Sequence, residues 1–270
     1  MRLTLHDLRR LAGERKLATL TCYDASFAAL LDAAEVDLIL VGDSLGMVIQ
    51  GHDSTLPVTL DDVAYHTRAV VRGSRRAWIV ADLPFGSYQQ SPQQALYSAV
   101  QLMQAGAQMV KLEGGVEMAP TIAFLVERGI PVCAHIGLTP QHVNAFGGYR
   151  VQGRGDAAAG VLDAARAVAS AGAAMLVIEA VPEPLARAIA GVGREAPGAM
   201  LTIGIGASVA CDGQVLVLHD MLGIGLGRRP RFVKNFLEGQ ESIAAALRHY
   251  VEEVRAARFP GAAQVYAETP

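Results

Sequence analysis

Eight short apolar runs are spaced along the whole chain, separated by segments with helical spacing. The runs are Leu17–Cys22, Val36–Val41, Ala77–Ala81, Met109–Leu112, Pro131–Ala134, Ala174–Ile178, Leu201–Ile205 and Gln214–Leu218. Between them lie Ala25–Ala34, Thr59–Arg72, Pro92–Ala105, Met118–Glu127, Asp156–Ala171 and Glu183–Val192, and Gln240–Ala257 follows the last run. Strand-like runs alternating with helices predict βαβ units and a parallel sheet. Near-continuous apolar strands suit a sheet covered on both faces. Eight such units in 270 residues predict an α/β fold, a TIM (β/α)8 barrel. An open doubly wound sheet is the rival, but Thr21–Ala25 after the first run is not the glycine-rich turn such folds carry. Thr4–Leu11 reads as a short amphipathic helix capping the bottom of the barrel. No linker or low-complexity tract interrupts residues 1–270, which reads as a single barrel domain.

Composition excludes several classes of function. The net charge of −3 offers no nucleic-acid footprint. No run approaches the roughly 20 apolar residues of a spanning helix, and the charged N-terminus interrupts any export signal. Cys22, Cys133 and Cys211 sit in separate apolar runs, which predicts buried thiols, no zinc site and a cytoplasmic setting.

The residues ending the runs carry the chemistry, because the strand ends of a barrel converge on one mouth. They are Asp24, Asp43-Ser44, Asp82, Lys111 with Glu113, His135, Glu179, Gly204–Gly206 and His219-Asp220. An acid after a strand often caps the next helix, and Asp24 reads that way. Asp43 and Asp82 have no helix within reach: Met47–Pro57 reads as irregular, and the helix after Asp82 starts near Pro92. Met109, Lys111 and Glu113 share one strand face, so the two charges point inward if Val110 and Leu112 meet helices. Charges there must pair or bind an ion. A structural Lys111–Glu113 pair is the plain alternative. Glu179 is a lone carboxylate, or else a helix-start acid. Three oxygen-donor acids (Asp43, Asp82, Glu113) suit a hard divalent cation such as Mg²⁺, with Mn²⁺ equally served. His135 is a mouth ligand or a satisfied polar residue. Gly204–Gly206 is an anion-binding turn or simply a tight one.

At these positions the chain resembles the ketopantoate hydroxymethyltransferase family. The matching stretches include TCYDASFAALLD (Thr21–Asp32), VGDSLGM…TLPVT (Val41–Thr59), ADLPFGSY (Ala81–Tyr88), VKLEGG (Val110–Gly115), HIGLTPQ (His135–Gln141), IEAVP (Ile178–Pro182) and IGIGA (Ile203–Ala207). They run in order from about Thr4 to Tyr266. The resemblance implies a barrel of the phosphoenolpyruvate/pyruvate type. It implies hydroxymethyl transfer from 5,10-methylenetetrahydrofolate to 3-methyl-2-oxobutanoate through a metal-stabilised enolate, within pantothenate synthesis. It assigns one Mg²⁺ per subunit to Asp43, Asp82 and Glu113. It assigns the keto acid to Asp43, Ser44, Asp82 and Lys111, with His135 beside them, and the proton-accepting role to Glu179. A homo-oligomer, often a decamer, and no nucleic-acid or membrane partner belong to the same implication. Two small departures from the family pattern are Ser208 after IGIGA and Cys133-Ala134 before HIGLTPQ. A metal-dependent lyase or isomerase of a small 2-oxo acid, and a Schiff-base aldolase using Lys111, are the alternatives on one barrel. Phe85, Tyr88 and Phe146 are aromatic candidates for holding the pterin.

Overall fold

The computed structural model describes residues 1–196, 198–225 and 229–268. Its eight strands are β1 (Leu17–Thr21), β2 (Leu38–Val41), β3 (Trp78–Asp82), β4 (Met109–Glu113), β5 (Val132–Gly137), β6 (Met175–Glu179), β7 (Leu201–Ile205) and β8 (Gly213–Leu216). Each pairs with the next in parallel, and β8 returns to β1 in the register Leu17↔Gly213 to Leu20↔Leu216. The sheet is therefore a closed parallel barrel. Closure leaves no strand edge exposed. The eighth strand ends two residues before the predicted Leu218, because Leu218–Met221 forms a helical turn that carries His219 and Asp220.

The connecting helices follow their apolar spacing and their caps. Thr59 and Asp62 form a capping box on the helix Leu60–Gly73, and Ser91 caps Pro92–Gln104. Asp24 accepts a hydrogen bond from the Phe27 N–H, the capping role read from the sequence. Asp43 differs from expectation. A one-turn helix, Leu45–Val48, follows it at once, yet the Asp43 side chain does not cap that turn and bonds elsewhere.

The N-terminal helix runs Leu5–Glu14, capped by Thr4 and Asp7, with Leu8 fully buried. It lies at the bottom of the barrel. Arg2 donates to the Ser74 and Ala77 carbonyls just ahead of β3. Arg15 makes a two-pronged bond to Asp37, the residue entering β2, at 2.7 and 2.8 Å. Arg76 joins the same carboxylate at 3.0 Å. Charges at the bottom are thus tied into structure, whereas those at the opposite end face a cavity. No described helix is long and apolar enough to cross a membrane.

Candidate active site

A cavity of about 840 Å³ opens at the C-terminal ends of the strands. Asp43, Ser44, Asp82, Lys111, Glu113, His135 and Glu179 all line it. They come from the ends of five consecutive strands, β2 to β6. Lys111 and Glu113 do share the inward face of β4, while Val110 and Leu112 are buried against the helices.

The pairing of Lys111 differs from the plain alternative. Its ammonium lies 3.0 Å from Asp82 Oδ1, not against Glu113. Asp82 Oδ2 accepts the backbone N–H of Asp43 at 3.0 Å, so Asp82 joins the ends of β2 and β4. Burial opposes a charged lysine, but Asp82, Glu113 and Asp43 together hold Lys111 above its ordinary value. That is the opposite of what an amine nucleophile needs. The same crowding acts on the acids. Burial first, then the charges of Asp82 and Glu113, push the Asp43 carboxyl up to about 8.

His135 stands between two glutamates. Its Nδ1 is 3.4 Å from Glu113 Oε1 and its Nε2 is 3.2 Å from Glu179 Oε2. Neither contact is aligned as a hydrogen bond. Burial and Lys111 drive the imidazole down, and the two glutamates outweigh them, leaving it near 9. Glu179 is no helix-start acid: the next helix begins at Glu183 behind Pro182. Its backbone is held by Leu138, whose N–H donates to the Glu179 carbonyl at 2.9 Å. Gly137 makes that approach possible, with φ at +91° and no room for a Cβ beside the Glu179 carbonyl. Ala180 follows at φ +46°, a strained setting next to a functional candidate.

Sequence reasoning did not single out Tyr23 or Gln141. The Tyr23 hydroxyl lies 2.8 Å from Ser44 Oγ and bonds to Thr21, fixing the serine at the cavity wall. Gln141 reaches Asp43 from a single 3-10 turn, Pro140–His142, too short for any periodicity to mark it. Gly204 on β7 and Gly206 just past it serve packing: a Cβ at Gly204 would meet Gln214 Oε1 at 2.9 Å, and one at Gly206 the Phe232 ring at 2.9 Å. The aromatic candidates also change. Tyr88 is fully buried with its hydroxyl committed to Gln141, Phe85 is exposed, and Phe146 is not among the lining residues. The rings that line the cavity are Tyr149, Phe232 and Tyr266, with Arg150, Arg229 and Arg231 beside them. Ser208 is buried and donates to Glu183 at 2.7 Å, so this departure ties the β7 loop to the helix after β6.

The donor set fits a hard divalent cation. Five carboxylates (Asp43, Asp82, Glu113, Glu179 and Asp220) line the cavity together with Lys111 and His135. Asp82 Oδ1 is buried against the Lys111 ammonium alone, and Glu113 Oε1 is buried with no aligned hydrogen-bond partner. Among the described residues, no three His, Cys, Asp or Glu side chains form a ready-made metal cage. Coordination here would draw on water and substrate oxygens as well, which is the habit of Mg²⁺.

A family profile described as Ketopantoate hydroxymethyltransferase matches residues 2–262. The chain belongs to that family. A 3-methyl-2-oxobutanoate hydroxymethyltransferase from Azoarcus sp. (strain BH72) is 58% identical over 265 residues, covering 97% of this chain and 96% of its own. One of the same name from Neisseria meningitidis is 58% identical over 268 residues, covering 98% and 100%. Family membership thus extends across the whole barrel and its mouth. Among solved structures, a phosphonopyruvate hydrolase complexed with oxalate and Mg²⁺ superposes with a TM-score of 0.57 at 16% identity, over 80% of this chain and 81% of that one. A 2,3-dimethylmalate lyase of the PEP mutase/isocitrate lyase superfamily gives 0.57 at 15%, over 80% and 79%. These two likenesses carry the barrel fold and nothing finer.

Proposed function

We propose that the chain transfers a hydroxymethyl group from 5,10-methylenetetrahydrofolate to 3-methyl-2-oxobutanoate, giving 2-dehydropantoate and tetrahydrofolate. The observation that carries this reading is 58% identity, over nearly the full length, to relatives named for that reaction. In this reading Asp43, Asp82 and Glu113 hold a divalent cation. When bound, the cation supplies Lewis acidity toward the keto acid oxygens.

The chain's own residues then divide the work. Lys111, kept cationic by Asp82, faces the negative charge of the keto acid. That charge grows as the C3 proton leaves, so a fixed ammonium in a buried site favours the transition state. Ser44 offers a hydroxyl at the same wall. Glu179 takes the C3 proton as general base, with His135 beside its carboxylate. The cavity is far larger than a five-carbon acid requires. Tyr149, Phe232 and Tyr266 supply faces for a pterin, and Arg150, Arg229 and Arg231 supply charge for an anionic tail. The free, buried cysteines support a reducing, cytoplasmic setting. Exposed Tyr65, Tyr97 and Val116 give a homo-oligomer apolar surface to cover, which sedimentation would measure.

The test is C3–H exchange of 3-methyl-2-oxobutanoate in D₂O, followed by NMR. Exchange that needs Mg²⁺ and stops with EDTA, with 2-dehydropantoate appearing once the folate is added, is the expected result. Exchange without product would favour a lyase or isomerase of a 2-oxo acid. No exchange under any condition would remove the proposed chemistry.

A further inference from the structure

Gln141 sits in the single 3-10 turn Pro140–His142 after β5 and is 4% exposed. A primary amide has two N–H donors and one carbonyl acceptor. Here the carbonyl receives the Tyr88 hydroxyl at 2.7 Å and Gln89 Nε2 at 3.2 Å. One N–H donates to the Leu83 carbonyl at 3.0 Å. A backbone carbonyl can only accept, so this bond fixes which end of the amide carries nitrogen. The remaining N–H is aimed at Asp43 Oδ2, 2.9 Å away. Gln141 also acts through its backbone, whose N–H donates to Glu113 Oε2 at 2.9 Å. Tyr88 closes the circuit, since its hydroxyl oxygen accepts the Glu113 N–H at 3.1 Å.

One residue therefore holds one oxygen of each of two acids, Asp43 just past β2 and Glu113 at the end of β4. The opposite oxygen of Glu113 has no aligned hydrogen bond and only His135 Nδ1 near it, at 3.4 Å. The Gln141 amide has no donor left over for substrate. We propose that Gln141 is a positioning residue: it presents Asp43 and Glu113 to the divalent cation, with Tyr88 as its anchor. The inference rests on the cation-dependent reading above. Partners of this kind orient ligands and, when removed, typically cost metal affinity or activity about 10–100-fold.

The experiment titrates the purified full-length protein with Mn²⁺, read by electron paramagnetic resonance of the free ion, beside urea denaturation without metal. Gln141→Ala should weaken Mn²⁺ binding by about tenfold or more. Added Mg²⁺ should recover most of its kcat while the KM for keto acid moves little. Tyr88→Phe, nearly isosteric, should shift Mn²⁺ affinity the same way by less. A purely structural role would lower the urea midpoint and leave Mn²⁺ affinity within twofold in both variants, which overturns the proposal. If Gln141→Ala does not fold, unchanged Mn²⁺ affinity in Tyr88→Phe overturns it alone. Wild-type protein that binds no Mn²⁺ would instead sink the cation-dependent reading, and this inference with it.

Discussion

His135 Nε2 lies 3.2 Å from Glu179 Oε2, at the junction of β5 and β6. The Glu179 carboxylate lines the cavity beside the imidazole, and its side chain keeps 14% exposure. Glu179→Gln preserves shape and removes the proposed base. It should slow C3–H exchange by about 10²–10⁴-fold while keto acid binding persists. NMR exchange rates with a parallel binding isotherm check this, and wild-type exchange in the variant would end the assignment of Glu179 as base.

Lys111→Met breaks the 3.0 Å pair with Asp82 inside the barrel. Removing one partner of a buried pair commonly costs about 3–5 kcal/mol. We expect a lower urea midpoint and a raised KM for the keto acid. Because its neighbours hold Lys111 in the charged form, borohydride with keto acid should trap no adduct on it. Mass spectrometry of the reduced protein decides, and an adduct on Lys111 would revive the aldolase alternative.

Asp37 governs acid stability from the other end of the barrel. Burial raises its pKa, but the Arg15 hydrogen bonds and charge, with the Ala18 N–H and Arg76, outweigh burial and hold it below the ordinary value. A lowered folded pKa stabilises the protein above the unfolded value, and that contribution is lost as pH falls through the folded one. The urea midpoint should therefore drop steeply below about pH 4. Asp37→Asn should flatten that slope and lower stability at neutral pH, by less than the about 3–5 kcal/mol of a fully buried pair because its arginine partners, Arg15, Arg76 and Arg255, are all partly exposed.

Gly137→Ala tests the backbone beneath Glu179, the proposed base. The position has φ +91°, and a new Cβ would press on the Glu179 carbonyl and on Val181 at 2.8 Å. Forcing an ordinary residue into such a conformation costs about 1–3 kcal/mol. Exchange should fall more than the melting temperature alone explains, because the strand end carrying Glu179 must move. Equal activity with normal stability would show that the approach of the two strands is not needed.

Chelation gives the simplest check on the acid cluster. EDTA should abolish exchange, and Mg²⁺ or Mn²⁺ should restore it, since both accept oxygen donors. Divalent ion should also raise the melting temperature in proportion to its binding. Binding to the folded barrel and not to the unfolded chain is the physical reason for that gain.

Much of this was legible in the residues alone. Short apolar runs alternating with amphipathic helices specify strands, helices and their order, because both periods are local properties of the chain. Parallel strands in one barrel end on one side, so the acids closing β2, β3, β4 and β6 had to share a mouth. Period two on β4 turned Lys111 and Glu113 inward together. Tertiary structure alone decided who pairs with whom. Lys111 meets Asp82 across neighbouring strands rather than Glu113 on its own. Gln141 crosses 98 positions to hold Asp43, and the cavity aromatics come from the segments carrying Tyr149, Phe232 and Tyr266. Such contacts depend on barrel closure and on loop conformations that follow no repeat. No local pattern encodes them, and only the folded chain brings the groups within hydrogen-bond reach.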